Sequence, residues 1–224
     1  MSERIQTAKE HYRSRFPGAR LEFLRGFEDG TYVYLQVLHP DGGTDKIPEG
    51  RDLFEFQADG SVAKFHHVST TYYMKTIRGA AISHGPEEVT DLDKTDHNKA
   101  VIERFFNEVL KTSAAQTRYH ELLDPDIHWE KPTEKDRAFI ALFEANAASF
   151  FHENLIVHSF FGGDARQVID STLEMTKHIV TTDYKLLIGQ GNFVLLEYFG
   201  EGKDYGRWDR LFCSLEDGKI RHIF

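Results

Sequence analysis

Three observations predict an α+β fold built on antiparallel sheet. Short β-forming runs alternate around Asp29-Gly30, Asp59-Gly60, Gly191 and Asp217-Gly218. A few stretches carry apolar residues at helical spacing instead. The closing stretch "GRWDRLFCSLEDGKIRHIF" also reads like the earlier "GRDLFEFQADGSVAKFHHV", which predicts one complete unit preceded by a partial repeat.

Residues 2 to 15 lack Gly and Pro and place Ile5, Ala8 and Tyr12 on one helical face, and the pair Pro17-Gly18 ends that helix. "RLEFLRGFEDGTYVYLQVL" gives two strands around Asp29-Gly30, rich in the aromatic and β-branched residues that pack well on a pleated surface. A loop from His39 to Gly50 precedes a hairpin that turns at Asp59-Gly60. Gly79, Gly85, Pro86 and scattered acids then read as a linker, which sets a first unit at 1–75, a linker at 76–95 and a second unit at 96–224.

In the second unit "TDHNKAVIERFFNEVLK" is an amphipathic helix with Asp96 as its cap and Val101, Phe105 and Val109 as its stripe. A short helix over "AAQTRYHELL", a strand over "DIHWEKP" and a helix over "EKDRAFIALFEANAASFF" are expected next. "NLIVHSF" reads as a strand and "DARQVIDSTLEMTKHI" as a helix, before a meander that turns at Gly191, Gly200 to Gly206 and Asp217-Gly218. Setting Gly30 on Gly191 lays "TYVYLQV" over "NFVLLEY", and Asp59 on Asp217 lays "LFEFQADG" over "LFCSLEDG", at offsets of 161 and 158.

The 224 residues allow one or two units, and 40% hydrophobic with 13% aromatic content suffices for a core. A net charge of -9 argues against a phosphate-tracking surface, since nucleic-acid affinity comes largely from clustered Lys and Arg. No apolar run approaches the roughly 18 residues needed to span a bilayer, and "MSERIQTAKEHYRSRF" lacks the apolar core of a signal peptide. Cys213 is the only cysteine, so no intrachain disulfide can form; a cytoplasmic protein is expected. His66-His67 and the His152 to His158 spacing match no zinc pattern, and no H-E-x-x-H, P-loop, G-x-S-x-G or dinucleotide fingerprint occurs. Neither metal nor cofactor is expected.

The stretches "NKAVIERFFNEVL" (98 to 110), "NLIVHSFFGGDARQVID" (154 to 170), "IGQGNFVLLEYF" (188 to 199) and "LFCSLEDGKI" (211 to 220), in this order, resemble the SnoaL-like branch of the nuclear-transport-factor-like superfamily. "FPGARLEFLRGFEDGTYVYLQV" and "RDLFEFQADGSVAKFHHV" look like the later half of the same fold, and "EEVTDLDKTDHNKAV" looks like the junction of tandem members. The resemblance implies a curved antiparallel sheet wrapped on helices, an α+β cone with an apolar pocket in the second unit. It also implies a truncated first unit that serves as a packing half, pairing as a homodimer or an internal pseudo-dimer, and a small hydrophobic molecule as partner, with neither nucleic acid nor membrane.

The function implied is cofactor-free proton transfer on a small apolar carbonyl compound, by a lyase, isomerase or cyclase of the polyketide-cyclase kind. Asp209 or His158 takes the proton, Arg210 or Tyr198 steadies the oxyanion, and Glu197, Trp208, His128 and Trp129 line the pocket. Strand alternation puts Asp209 with Leu211 and Cys213, and Trp208 with Arg210 and Phe212, and sends Glu197 and Tyr198 to opposite faces. An acid among apolar neighbours is pushed toward a useful pKa; the plainer reading pairs Asp209 with Arg207 or Arg210 at a wet strand end. For His158 the plainer reading is a structural histidine bonded to a carbonyl. Asp52, in "GRDLFEF", stands where the family often carries an acid before an apolar pair. The rival readings are a non-catalytic ligand-binding or assembly module, and an epoxide hydrolase, which needs two acids and an arginine.

Overall fold

The computed structural model of the protein describes residues 2–40, 46–73, 84–111, 134, 141, 145–158, 179–202 and 205–224. Helix α1 (Glu3–Arg15) is capped by Ser2, whose hydroxyl accepts from the Ile5 amide, and buries Ala8 and Tyr12. Strands β1 (Glu22–Asp29), β2 (Tyr32–Leu38), β3 (Lys46–Phe56) and β4 (Val62–His66) pair consecutively and antiparallel, and β5 (Ser69–Tyr73) pairs with the early part of β3. Helix α2 (Thr95–Phe105) continues into a wider turn at Phe106–Leu110. A second sheet runs in the order β6 (Phe151–Val157), β10 (Lys219–Ile223), β9 (Tyr205–Glu216), β8 (Phe193–Gly202), β7 (Ile179–Gln190).

The fold class is therefore the expected α+β, and α1, α2 and the turns at Gly30, Gly60, Gly191 and Gly218 stand where the sequence puts them. Three details differ. Strand β6 lies parallel to β10, so the second sheet is not wholly antiparallel. Thr95, not Asp96, begins α2, and its hydroxyl accepts from the Gly191 amide at 2.8 Å instead of a capping carboxylate closing the helix. Phe150 and Phe151 leave the helix expected through them, Phe151 opening β6. The segments expected as a strand over "DIHWEKP" and as helices over "AAQTRYHELL" and most of "DARQVIDSTLEMTKHI" fall outside the described residues.

The repeat holds in the strand registers. The seven β1–β2 pairs, from Asp29–Tyr32 to Glu22–Leu38, recur in β7–β8 161 residues later, from Gln190–Phe193 to Asp183–Phe199, with the bulge at the same place. The β2–β3 pairs recur in β8–β9, where Tyr34–Leu53 becomes Leu195–Phe212 and Gln36–Arg51 becomes Glu197–Arg210. By this pairing β9 is offset from β3 by 159 residues, against the 158 that aligning Asp59 with Asp217 implies. The first unit's turn is one residue longer, since Phe56–Val62 becomes Leu215–Ile220. Arg210 is thus the counterpart of Arg51, Asp209 that of Gly50, and Leu211 that of Asp52.

The two sheets pack face to face through equivalent sides. Phe27, Tyr34 and Leu53 from the first meet Ile188, Phe193, Leu195, Phe212 and Phe224 from the second. The outer face of the first sheet carries α1 over Val33, Leu35, Val37, Phe54 and Phe56. The outer face of the second carries α2 over Val194, Leu196, Cys213, Leu215 and Ile220, together with Phe150 and Phe151. The layers therefore run helix, sheet, sheet, helix.

The described part of the segment read as a linker, from residue 84 on, has partners in the seam. Thr90 and Asn192 exchange hydrogen bonds at 2.9 Å, and Arg25 donates to the carbonyls of Pro86 and His84. Gly191 has φ 58° and faces the Thr90 carbonyl so closely that a Cβ would overlap it, so glycine is required at that turn. Among the described residues no helix is long and apolar enough to cross a membrane.

Phe212 is fully buried at the centre of the sheet interface, 4.5 Å from the Tyr34 ring and 5.0 Å from the Phe224 ring between centroids. Phe212→Ala removes that volume from a site that two sheets prevent from collapsing. The expected loss is about 3 to 5 kcal/mol of unfolding free energy, read from urea denaturation.

Candidate functional site

Asp52 is fully buried on the α1 side of the first sheet, next to Phe54 and beneath Tyr12. The register that sets Leu53 opposite His66 and Gly50 opposite Ser69 sets Asp52 opposite His67. Across that pair His67 Nδ1 donates to Asp52 Oδ1 at 2.6 Å. Asp52 Oδ2 makes no well-formed hydrogen bond among the described residues, and the polar group nearest to hand is the Tyr12 hydroxyl, close enough to act on the carboxyl's charge. The Tyr12 hydroxyl lies alongside it, but its hydrogen bond runs to His39 Nε2 at 2.8 Å.

Around these polar groups stand aromatic rings: Phe16 is 5.1 Å from His39 and 5.3 Å from His67, and Phe65 is 5.9 Å from both Tyr12 and His67. Gly50 lies directly against the Asp52 and Tyr12 oxygens. A Cβ there would collide with Asp52 Oδ2 and Tyr12 Oη, so the two oxygens sit against a backbone that only glycine supplies.

Burial pushes the Asp52 carboxyl up to about 6, against the opposing pull of His67, Tyr12 and Arg210. The Tyr12 hydroxyl is driven well above its ordinary range, first by burial and then by the Asp52 charge. Burial lowers His39. The arrangement combines a carboxylate that titrates at about 6, one oxygen against the Tyr12 hydroxyl, an imidazole to steady the other, and a hydroxyl that stays protonated. Such a set can take a proton from carbon and hold the oxygen that receives the charge.

The residues proposed from sequence divide into three places. Glu197 and Arg210 come together in the sheet interface, Arg210 Nε donating to Glu197 Oε2 at 2.6 Å while Lys185 pairs with the other oxygen at 2.5 Å. Both face the first sheet, whereas Leu211, Cys213 and Tyr198 face α2, so the expected alternation holds for these residues. Tyr198 packs its ring 6.0 Å from Phe106. Trp208 is half exposed, with its ring tilted 55° against Phe199 at 5.2 Å and Lys185 over it.

His158 is elsewhere, just past β6, where Nε2 lies 2.9 Å from His222 Nδ1 and Phe224 stacks on the ring. Burial, then His158, drives His222 down to about 3, so the imidazole is neutral there. Asp209 pairs with Tyr198 across β8–β9; its side chain, and all of His128 and Trp129, lie outside the described residues. The described part of the α2 face is filled by Phe105, Phe106, Phe150 and Phe151. Among the described residues no cluster of His, Cys, Asp and Glu is arranged to hold a metal ion.

His67, Tyr12 and His39 were not legible as a group. A signal for one pair existed: counting back along the hairpin from Asp59-Gly60 reaches Asp52 and His67 together, and both project from the same side of the ladder. Tyr12 and His39 arrive from α1 and from beyond β2, contacts that no local pattern encodes.

No protein-family model matches the chain, and no curated protein matches its sequence. Among solved structures it is similar to a de novo designed protein with a curved β-sheet, at 13% identity and TM-score 0.38 over 57% of this chain and 82% of that one. It is also similar to a de novo designed NTF2-fold protein, at 15% identity and TM-score 0.36 over 61% of this chain and 85% of that one. Function has to be argued from the site.

Because the folded protein holds the Asp52 proton more tightly than the unfolded chain does, it binds more protons between pH 3.8 and about 6. Asp52 therefore supports stability below that window and opposes it above. Asp52→Asn is expected to gain about 2 kcal/mol at pH 7 relative to the parent and nothing near pH 3.5, read as paired urea melts across that range.

Proposed function

We propose that the chain is a SnoaL-like, cofactor-independent enzyme that moves a proton next to the carbonyl of a small apolar compound, as a lyase, isomerase or cyclase. The observation that carries the reading is the buried Asp52 carboxylate, whose Oδ2 is tied into no strand or ion pair among the described residues and faces the Tyr12 hydroxyl among aromatic rings. In the proposed step Oδ2 removes the proton from the carbon beside the carbonyl, and the electron pair passes to the carbonyl oxygen as an enolate. In the tautomer that carries its proton on Nε2, His39 donates to Tyr12 Oη and leaves the Tyr12 proton to hold the enolate oxygen. The same proton then returns from Asp52 to carbon or to the product.

On this reading the first unit is a working half and the second is a complete cone joined to it as an internal pseudo-dimer in a cytoplasmic protein. Asp209 and His158 stand as the corresponding proposal for the second unit. Asp52 is preferred because its surroundings give a desolvated base and a donor directly. The epoxide alternative wants a second carboxylate facing the first; Glu49 instead faces the sheet interface, bonded to Gln36 and Arg51. The non-catalytic alternative predicts a tight ligand and no turnover.

The test is deuterium incorporation at the α-carbon of a panel of small cyclic and aryl ketones in D2O, followed by proton NMR. The protein is expected to accelerate exchange for at least one ketone, and Asp52→Asn to lose about 100-fold or more. Equal exchange by Asp52→Asn and the parent would remove Asp52 from the reaction.

A further inference from the structure

The Asp52–His67 pair has a back as well as a front. Its front is α1; behind it, through the sheet, lies Arg210 of β9. Arg210 Nη1 donates to the Arg51 carbonyl at 2.5 Å and approaches the His66 carbonyl at 3.5 Å. Arg51 and His66 immediately precede Asp52 and His67 on the two paired strands. At this point β4 has ended and β5 has not begun. The Arg51 amide still donates to the Val68 carbonyl at 2.9 Å, but the Arg51 carbonyl is met by a guanidinium from the other sheet. Glu197 fixes that guanidinium from behind, and Arg210 and Glu197 are both buried. Glu197 holds the guanidinium plane through Nε and so aims the one nitrogen Nη1 at both carbonyls, an orientation that a flexible ammonium does not keep.

We propose that Arg210 is a positioning residue for the Asp52–His67 pair, reaching across the sheet interface to tie β3 to the end of β4, so that the first unit's proton-transfer site is complete only with the second unit packed on it. This rests on the acid/base reading of Asp52. It assigns to Arg210 a place behind the site and not at the developing oxyanion. It also gives the second sheet a part in catalysis that does not depend on a pocket of its own.

Other charges bear on Asp52 from each side. His67 comes from the strand opposite, Tyr12 from α1 and His39 from beyond β2 by way of Tyr12, while Glu49 and Arg51 share β3 but turn to the interface. Arg210 favours the ionised carboxylate and so works against burial.

The experiment is a carbon-detected NMR titration of the Asp52 carboxyl with nitrogen detection of the His67 ring, on the full chain without substrate. Arg210→Gln is expected to move the Asp52 midpoint upward and to displace the His67 ring resonances. Arg210→Lys should restore the midpoint through its charge but leave the His67 ring displaced, because an ammonium cannot hold Glu197 and the Arg51 carbonyl in one fixed plane. Glu197→Gln keeps Arg210 and removes its neutralising partner, so the Asp52 midpoint should fall; this variant carries the test where Arg210→Gln does not fold.

An unmoved midpoint and unmoved ring signals in folded Arg210→Gln, or a midpoint in Glu197→Gln that stays or rises, overturn the proposal. In the ketone exchange assay Arg210→Gln is further expected to lose about 10- to 100-fold in kcat with its pH profile displaced, and little in KM. The titration is read without turnover. Its failure leaves the Asp52→Asn exchange result standing, and failure of exchange leaves the titration standing.

Discussion

The structure depends on two sheets burying equivalent faces against each other. Each sheet already carries a helix on its outer side, so the inner faces with Phe27, Tyr34, Leu53, Leu195 and Phe212 have only one another to cover them. Burial at roughly 25 cal/mol per Å² makes a layer of aromatic side chains the largest favourable term available to a chain of this size. Because the same register recurs in both sheets, the contact is isologous in kind, as between two copies of one protein, although both halves lie on one chain.

That layer is not wholly apolar, and its polar members have to satisfy one another. Arg25 reaches Gln36, Gln36 reaches Glu49, and Glu49 takes Arg51; on the other side Arg210 and Lys185 share Glu197. A buried ion pair adds little net stability compared with apolar groups of the same size, but removing one member leaves the other stranded. The network is better understood as setting how the sheets sit on each other. Arg25 shows the strain of the arrangement: burial lowers it to about 10, yet it stays charged, stacked 4.0 Å over Phe224.

What the sequence made legible follows from the range of each interaction. Helix α1 and the hairpins are local, declared by Pro17-Gly18, Asp29-Gly30 and Asp59-Gly60, and the stripe of Val101, Phe105 and Val109 is buried as read. The parallel contact of β6 with β10 joins residues about 70 apart and leaves no local mark. The repeat was visible, but a turn one residue longer in the first unit hid the true counterparts, aligning Asp52 with Arg210 where the strands set Arg51 there. A one-residue slip in a strand exchanges faces, so that alignment sets Asp52, which lies on the helix-facing side, against Arg210, which lies in the sheet interface.

With the counterparts assigned by pairing, the two units can be compared position by position. On the helix-facing side the first has Asp52 and Phe54; the second has Leu211 and Cys213 at the paired positions. The first places its charge beside a glycine and a tyrosine, with a single helix above. The second places leucine and a thiol there, under a helix that brings Phe105 and Phe106, and burial drives the Cys213 thiol far above its usual range. The two units thus differ where the strand pairing makes them equivalent: a buried carboxylate stands in one and leucine in the other. The physical constraint is that the two remain joined: Arg210 and Glu197 sit on the interface side of the better-packed sheet, and the nearest backbone they can brace is the one that carries Asp52.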